Sequence, residues 1–436
     1  MEMKRVELMP GVWLSHLRTD KFKTACLSLT MLTQLQRDTA AMNALIPCVL
    51  RRGTTRYRDM EALANRFDEL YGSAIEPVVR RIGEIQCLGF YASMPEGDFI
   101  PDGGNILHDT AELMGQLLLS PATKGGLLLP EYVESEKEKL LDLIRSRINE
   151  KRGYAVFRCI EEMCCFEDFA VSRFGSESEC EAIHYKKLTK HYRSLLQSSP
   201  IEIFYCGRAS VKKVVSAMKE ALTTLPRTEI DYDIGTDVRM NSVEETYREV
   251  TEEMDVTQGV LVMGFRLGEC MEEPDLAAIY VFNGVFGSGS TSKLFMNVRE
   301  KRSLCYYASS AVDTHKGLMF VSSGIAFDKL EEVKAEIFSQ LEAVKRGEIT
   351  EEELNSARSG IASDLRSIKD GQGELEGFYL ANMLDGLELS PDELAELCEN
   401  VSVEDVVAVA NSVECDMIYF LTGSEDDEDE ETEDAD

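Results

Sequence analysis

The pattern of apolar and polar positions along this chain predicts two successive sets of strands and helices. In the first set, alternating or continuous apolar runs predict strands at residues 11–17, 25–32 and 201–206, and a hairpin of 74–81 with 84–92. Apolar positions at helical spacing predict helices at 39–50, 59–71, 105–119, 130–151, 187–197 and 211–222. The first half therefore has the content of an antiparallel sheet packed with helices.

A similar order of elements returns after a polar, acidic stretch at 225–241. Predicted strands lie at 245–252, 256–266, 304–311, 317–325 and 416–421, and predicted helices at 275–286, 293–302, 328–346, 350–369, 373–384, 391–398 and 402–411. We therefore predict an α+β fold of two similar domains, each an antiparallel sheet with helices packed on one side. The predicted ranges are 1–225 and 242–422 for the domains, 226–241 for the linker and 423–436 for a disordered acidic tail.

One stretch, GVFGSGSTSKLFMNVREKRSLCYY at 284–307, combines flexibility with functional groups. A Gly/Ser-rich loop with Gly284, Gly287 and Gly289 precedes a short helix, and a strand follows that helix. Arg299 is expected in the last helical turn, and Tyr306 two residues into the strand on the face of Leu304. A guanidinium and a phenol on rigid elements can hold and polarise a peptide carbonyl. The ordinary alternative is an arginine that favours the helix dipole and a tyrosine that only packs.

The run SKLFMNVREKRSLCYY resembles the second-half signature of the insulinase-like (pitrilysin) metallopeptidases, and Arg299 and Tyr306 match its arginine and tyrosine. This resemblance implies that the pair contacts substrate opposite a zinc ion. Active members carry H-x-x-E-H on a first-half helix. Alignment on the Gly-Thr that follows puts Ala44 and Cys48 at the two histidines and Pro47 at the glutamate.

The family's later glutamate ligand aligns only roughly, with Glu136 as the nearest candidate. We interpret Glu136 as part of a solvated helix face that pairs with Lys137 and Lys139.

Elementary chemistry also argues against a metal site in this chain. A catalytic zinc needs three protein ligands, whereas a methyl group, a pyrrolidine ring and one thiol offer at most one. Pro47 is also expected to break or kink its helix. A second cluster could suggest zinc: Cys159, Cys164, Cys165, Cys180, His184 and His191. It contains no C-x-x-C and its spacings fit no zinc motif, and Cys159 and Cys164 fall in an apolar helical stretch that predicts core residues. We therefore expect no metal or other cofactor in this chain.

Charge and composition exclude several classes of partner. The 436 residues carry a formal net charge of −33, which argues against nucleic acid and anionic membranes as partners. No apolar run approaches the ~20 residues of a membrane span, and the start of the chain lacks a signal-peptide core. The twelve cysteines show no disulfide framework. A cytoplasmic protein with reduced thiols is the prediction.

The resemblance implies a function as a non-catalytic subunit. Some family members pair two similar subunits as halves of a clam-shell, and one subunit keeps the zinc motif while the other supplies the arginine and tyrosine. This chain resembles the second type, and more narrowly the bacterial insulinase-like proteins associated with aminopentanol modification of elongation factor P. We expect a zinc-bearing partner, a shared peptide chamber, and residues 284–292 as a flexible gate or simply as a linker into the helix.

Two alternatives remain open at the level of sequence. The chain could be a scaffold or peptide-binding protein that takes part in no hydrolysis. It could also be an independent hydrolase that uses Cys48, although no histidine lies near Cys48 in sequence and a reactive thiolate needs a base or a positive field.

Overall fold

The structure, a computed structural model, describes residues 3–101, 104–239, 246–268 and 273–423. Its strands are β1 (Met3–Met9), β2 (Val12–Arg18), β3 (Thr24–Gln34), β4 (Ala74–Ile82), β5 (Ile85–Pro95), β6 (Thr123–Lys124), β7 (Leu127–Leu128), β8 (Ile201–Gly207), β9 (Arg248–Glu253), β10 (Gly259–Arg266), β11 (Tyr307–Asp313), β12 (Leu318–Ile325) and β13 (Glu414–Thr422). The acidic tail falls outside the described residues, apart from Gly423.

The α-helices are α1 (Arg37–Leu50), α2 (Met60–Glu69), α3 (Ile106–Leu119), α4 (Pro130–Ser146), α5 (Lys151–Met163), α6 (Glu177–Glu181), α7 (Tyr185–Ser198), α8 (Val211–Ala221), α9 (Glu273–Asn283), α10 (Leu330–Lys345), α11 (Glu351–Ser367), α12 (Gln372–Leu384), α13 (Pro391–Asn400) and α14 (Val403–Ser412). Two further helical segments have the wider turns of a π-helix, Gly284–Ser288 and Leu294–Lys301. None of the helices in the described ranges is both long and apolar enough to cross a bilayer.

The first compact unit comprises residues 1–146, 171–235 and 370–384. Its sheet has the order β1-β2-β8-β3-β5-β4. All neighbours pair antiparallel except β2 and β8, which are parallel. The central β3 is buried along most of its length, as its nearly continuous apolar sequence requires. Helices α1, α3 and α8 pack their apolar sides on one face of this sheet and form the main core.

The second unit comprises residues 147–170, 236–369 and 385–436. Its sheet has the order β11-β12-β10-β13-β9, again with one parallel pair, β13 with β9. Helix α10 covers one face, where Phe338 meets Phe265 of β10 edge to face. The predicted α+β class with two similar sheet-and-helix units is therefore confirmed.

Each sheet also carries one helix on its opposite face, and that helix comes from the other half of the sequence. In the first unit, Leu380 of α12 packs against Leu32, Ile85 and Cys87. In the second unit, α5 packs against β10 and β13, with Met163 close to Gly264. The units are consequently not the continuous ranges expected from sequence, because residues 147–170 group with the second unit and 370–384 with the first.

Candidate functional site

The degenerate zinc motif lies on α1, deep in the first unit. Ala44 is 2% exposed, Pro47 is buried, and the Cys48 thiol donates a hydrogen bond to the Ala44 carbonyl oxygen at 3.7 Å. Pro47 was expected to break or kink its helix, and a break is ruled out, since α1 continues to Leu50. Proline removes only one intrahelical bond there, and the flanking residues Leu45, Ile46, Val49 and Leu50 are all buried in the core.

Glu136 of α4 lies beside this motif. Its side chain is 9% exposed and accepts hydrogen bonds from Arg52 Nη1 at 3.1 Å and from Lys139 Nζ at 2.7 Å. Burial, and secondarily the Glu136 charge, raise the pKa of the Cys48 thiol to about 11. The interpretation of Glu136 as part of a solvated face is thus wrong, although its pairing with Lys139 is confirmed. The spacing of charges along α4 could not predict that Arg52, which follows α1, would also pair with Glu136.

Arg299 and Tyr306 are both exposed in the second unit, next to the start of β11. The Arg299 side chain is 42% exposed, stacks 4.8 Å from the Phe295 ring centroid, and lies 3.8 Å from the adjacent Glu300 carboxylate. Tyr306 is 66% exposed, and its backbone N–H donates to the Gly324 carbonyl oxygen at 2.9 Å. Burial raises the pKa of the Cys305 thiol, which a hydrogen bond with Ser323 and, less strongly, the charge of Arg299 partly offset.

The position predicted for Tyr306 within the strand is wrong by a few residues. Strand β11 begins at Tyr307, and Leu304 is 7% exposed whereas Tyr306 points to solvent. Ser303 adopts a left-handed conformation with φ of 51° and its N–H bonds to the Arg299 carbonyl oxygen. This turn delays the extended backbone, so the two side chains do not share a strand face.

The predicted flexible gate is wrong for two of its three glycines. Gly284 and Gly287 are buried in the first π-helical segment. A Cβ on Gly287 would lie 2.5 Å from Ser310 Oγ, and one on Gly284 would lie 2.9 Å from the Ile361 side chain. Gly289 alone begins a turn, in which its carbonyl oxygen accepts from the Ser292 N–H at 3.1 Å. Gly284 and Gly287 are therefore needed for close packing. A Gly-rich sequence alone cannot show whether its glycines allow close packing or flexibility.

The cysteines and histidines that cluster in sequence are divided between the two units. Cys159 and Cys164 are buried in the core of the second unit. Cys180 is buried in the first unit, where His191 Nε2 lies 2.6 Å from Asn43 Oδ1. In the described ranges, one group of three ligand-type side chains lies close together: His108, Asp109 and Glu112 of α3. Arg66 and Arg56 already pair with its two carboxylates, at 3.1 and 3.4 Å.

A cavity of about 640 Å³ in the first unit was not predicted from sequence. Its polar lining includes Glu96, His108, Tyr205, Arg208 and Lys213. The Glu96 carboxylate accepts a bond from the Arg208 backbone N–H and lies 3.4 Å from the Tyr205 hydroxyl. Four separate segments contribute these residues, so no local motif marks the cavity.

Comparison with known proteins identifies the family. The family model described as the Peptidase M16 inactive domain matches residues 182–361. The "Probable inactive metalloprotease YmfF" of Bacillus subtilis (strain 168) is 32% identical over 417 residues, which cover 95% of this chain and 96% of that protein. The chain belongs to the M16 peptidase family.

Solved structures agree with this M16 assignment. A conserved protein from Enterococcus faecalis V583 superposes with a TM-score of 0.88 at 26% identity, covering 97% of this chain and 99% of that one. A peptidase M16 inactive domain from Pseudomonas fluorescens gives a TM-score of 0.78 at 15% identity with the same coverage, and at that identity it supports the fold alone.

The residues of this M16 chain do not fit the zinc ion that active members of the family hold. The site offers a methyl group, a proline ring and a thiol whose pKa is raised to about 11, so Cys48 is protonated at neutral pH and is a poor ligand. The remaining carboxylate, Glu136, already bonds to Arg52 and Lys139. No metal-activated water can form on this donor set, and the chain is an inactive member of its family.

Proposed function

We propose that this chain is the zinc-less subunit of a two-subunit M16 peptidase, in which a similar chain with an intact H-x-x-E-H motif supplies the metal. In this proposal the two chains enclose a peptide chamber, and this chain contributes contacts to the substrate. Its association with elongation factor P modification stays a prediction.

The exposure of Arg299 and Tyr306 is the observation that carries this proposal. Their side chains are 42% and 66% exposed. Nearby Leu304 and Val298 are buried, at 7% and 0%. An exposed guanidinium and phenol can each donate to a carbonyl oxygen on which charge develops during peptide hydrolysis. The α1 motif, by contrast, is buried and has lost its chemistry, so a catalytic ion has to come from another chain.

Edge strand β4 of the first sheet is a poor site for an added peptide strand, which favours binding of the substrate by the partner subunit. Strand β4 is one of the two outer strands, and it contains Pro77, which has no N–H to donate to an added peptide. Charged residues flank it, since Glu76 is exposed and Arg80 bonds to Glu376. Proline and charge are the usual means by which proteins prevent strand addition. We therefore place the peptide on an edge strand of the zinc-bearing subunit.

The test is co-expression with an H-x-x-E-H relative from the same cell, followed by peptide hydrolysis assays on the purified complex. Arg299→Ala and Tyr306→Phe are each expected to lower kcat/KM by about 10²-fold, because each removes one donor to the developing charge. Arg346→Ala is the matched control, since Arg346 is an exposed arginine that pairs with Glu348 at the surface. Unchanged hydrolysis in both variants would refute the assigned roles, and a stable complex without any hydrolysis would favour the scaffold alternative.

A further inference from the structure

Two buried cysteines face each other between the central strands of the first sheet. Cys26 of β3 pairs in register with Cys206 of β8, and both residues are 0% exposed. In the same register the Leu32 N–H donates to the Pro200 carbonyl oxygen, so every second pair of residues along β3 and β8 exchanges backbone hydrogen bonds. Cys26 and Cys206 form one of these pairs, whose Cα atoms are ~5.5 Å apart. Disulfides most often have this Cα separation.

The two free thiols are also in contact with each other. A hydrogen bond from the Cys26 thiol lowers the pKa of Cys206; burial opposes this effect, and a bond from Gln372 adds to it. The bond to Cys206, together with burial, raises the pKa of Cys26. Cys206 is therefore the sulfur that ionises first, and Cys26 is the neighbour that keeps its proton. A nucleophilic sulfur beside a second thiol is the arrangement of a redox-active cysteine pair.

Cys87 of β5 shows how a buried thiol without a cysteine opposite it differs. It is also 0% exposed and lies under α12, but its partners across the strands are Leu32 and Arg80. Burial raises the pKa of the Cys87 thiol to about 12. Burial by itself therefore makes a thiol of this sheet less reactive, and the contact with Cys26 reverses this effect at Cys206.

The first residue of α12, Gln372, covers the cysteine pair. Its side-chain amide donates from Nε2 to the Cys206 carbonyl oxygen at 2.9 Å and to the Thr24 carbonyl oxygen at 3.0 Å. Its backbone carbonyl oxygen lies 3.9 Å from the Cys26 sulfur, as a second acceptor for that thiol. Helix ends are among the parts of a structure that open most readily. A small molecule therefore reaches the two sulfurs when the start of α12 opens.

We propose that Cys26 and Cys206 are a reversible redox site, at which hydrogen peroxide forms a disulfide between β3 and β8 when the start of α12 opens. The Cys206 thiolate attacks one peroxide oxygen, the O–O bond breaks, and the departing hydroxide takes up a proton to become water. The Cys26 sulfur then attacks the resulting sulfenic acid, forms the S–S bond and releases a second water. Two thiols and one peroxide thus give one disulfide and two waters, and the sulfurs lose the two electrons that the peroxide gains. This site does not depend on the proposed peptidase partnership.

Mass spectrometry of the full-length protein after treatment with hydrogen peroxide tests the bond directly. Unreacted thiols are alkylated in denaturant, and the peptides are mapped without reduction. We expect a disulfide between Cys26 and Cys206 in most molecules, its return to two thiols with dithiothreitol, and an unmodified Cys87. The exposed Cys165 reports the peroxide dose. If Cys26 and Cys206 are still thiols once Cys165 is fully oxidised, or are joined to any other cysteine, the proposal is wrong.

Serine variants test the roles of the two sulfurs separately. In Cys26→Ser, Cys206 is expected to stop at the sulfenic acid, which dimedone traps when it is present during unfolding. In Cys206→Ser, Cys26 is expected to take up at least ~10-fold less dimedone, because its pKa is raised. Circular dichroism first establishes that both variants fold. Equal labelling of the two residues would contradict the assignment of Cys206 as the attacking sulfur.

Gln372→Ala tests whether the start of α12 controls access to the pair. The substitution removes two hydrogen bonds from the helix start, so disulfide formation should become about 10-fold faster. Gln116→Ala is the matched control, since it removes a side-chain hydrogen bond to Glu112 on α3 of the same unit, and its rate should equal that of the unchanged chain. Equal acceleration by both substitutions would show that oxidation follows a general loss of stability, and would overturn access through α12.

The disulfide should also be measurable as a gain in stability. It closes a loop of ~180 residues in the unfolded chain and is expected to lower the equilibrium constant for unfolding at least ~30-fold. Urea unfolding of the oxidised and the reduced protein measures this change, and Cys26→Ser after the same peroxide treatment is the control. An unchanged constant in the oxidised protein would refute the claim that the two strands hold these residues at the separation of a disulfide.

Discussion

Arg52 supplies a positive charge to Glu136, the residue nearest to the position of the family's glutamate zinc ligand. Together with Lys139 it pairs with the buried carboxylate of Glu136 next to Cys48. The sequence was enough to predict that Ala44 and Cys48 do not supply the two histidine ligands and that Pro47 does not supply the general base, because residue type decides both roles. The pairing of Arg52 with Glu136 could not be predicted, because it depends on how α1 and α4 pack.

At the residue scale, Glu202 of β8 is expected to make stability depend on pH. Burial raises the pKa of its carboxyl group to about 7, although Arg5 opposes this from 2.6 Å. Between its ordinary pKa of about 4.5 and about 7, the folded chain therefore binds more protons than the unfolded chain. The free energy of unfolding should fall as pH rises through this window, by roughly 3 kcal/mol.

Urea unfolding of Glu202→Gln at pH 5 to 8 measures this contribution. The variant is expected to lose most of the slope, whereas Glu7→Gln on the exposed side of β1 keeps it. An unchanged slope in Glu202→Gln would show that another group titrates.

Glu167 is the second residue whose removal has a clear expected cost. Its carboxylate bonds to Arg266 Nη2 and to Lys316 Nζ, each at 2.7 Å, and all three side chains are at most 2% exposed. Asp416 supplies the other negative charge, 2.8 Å from Arg266 Nε. Glu167→Gln removes the buried carboxylate that Arg266 and Lys316 share and should lower the free energy of unfolding by about 3–5 kcal/mol. Chemical denaturation beside the exposed control Glu253→Gln checks this, and a loss below about 1 kcal/mol would contradict it.

At the scale of elements, the sequence predicted most strands and helices but not their irregular parts. Hydrophobic periodicity identified the hairpin of β4 and β5 and the buried strands β3, β8 and β10. It missed β1, whose sequence MKRVELM is largely exposed, and it merged α4 with the start of α5 into one helix. Arg299 and Tyr306 became site candidates through the family resemblance. The sequence did not predict the turn at Ser303, which lies between them and delays the start of β11 to Tyr307.

The π-helical segment Gly284–Ser288 yields a prediction that separates packing from gating. Gly287→Ala places a methyl group 2.5 Å from Ser310 Oγ and should lower the free energy of unfolding by about 1–3 kcal/mol. Gly360→Ala in α11 is the matched control, because no atom lies within 4 Å of the added Cβ, and it should stabilise by about 0.5–1 kcal/mol. Thermal unfolding of both variants measures these changes in stability. If Gly287→Ala leaves the free energy of unfolding unchanged, the flexible-gate interpretation is restored.

At the scale of the whole molecule, each unit is completed by a helix from the other half of the sequence. A fragment of residues 1–239 lacks α12, so Leu32, Ile85 and Cys87 lose their cover, and its α5 has no second sheet to pack on. Exposing a buried side chain of this size costs about 1.5–3 kcal/mol. We expect this fragment to bind the dye ANS and to unfold without cooperativity.

Mixing this fragment with residues 240–436 should restore the cooperative unfolding that we expect of the intact chain, with circular dichroism as the measurement. Independent cooperative unfolding of either fragment would mean that the two helices are dispensable.

Because the segments of each unit are separated in sequence, neither unit can be completed early in translation. The second segment of the first unit ends at Gly235, and its third segment ends ~150 residues later, at Leu384. A ribosome that adds 5–20 residues per second needs roughly 7–30 s to synthesise this interval. Throughout that interval α12 is absent, so Leu32, Ile85 and Cys87 of the first sheet stay uncovered. Helix α5 is likewise exposed until the strands of the second sheet have been synthesised. The protein is therefore one whose early translation products need shielding by chaperones.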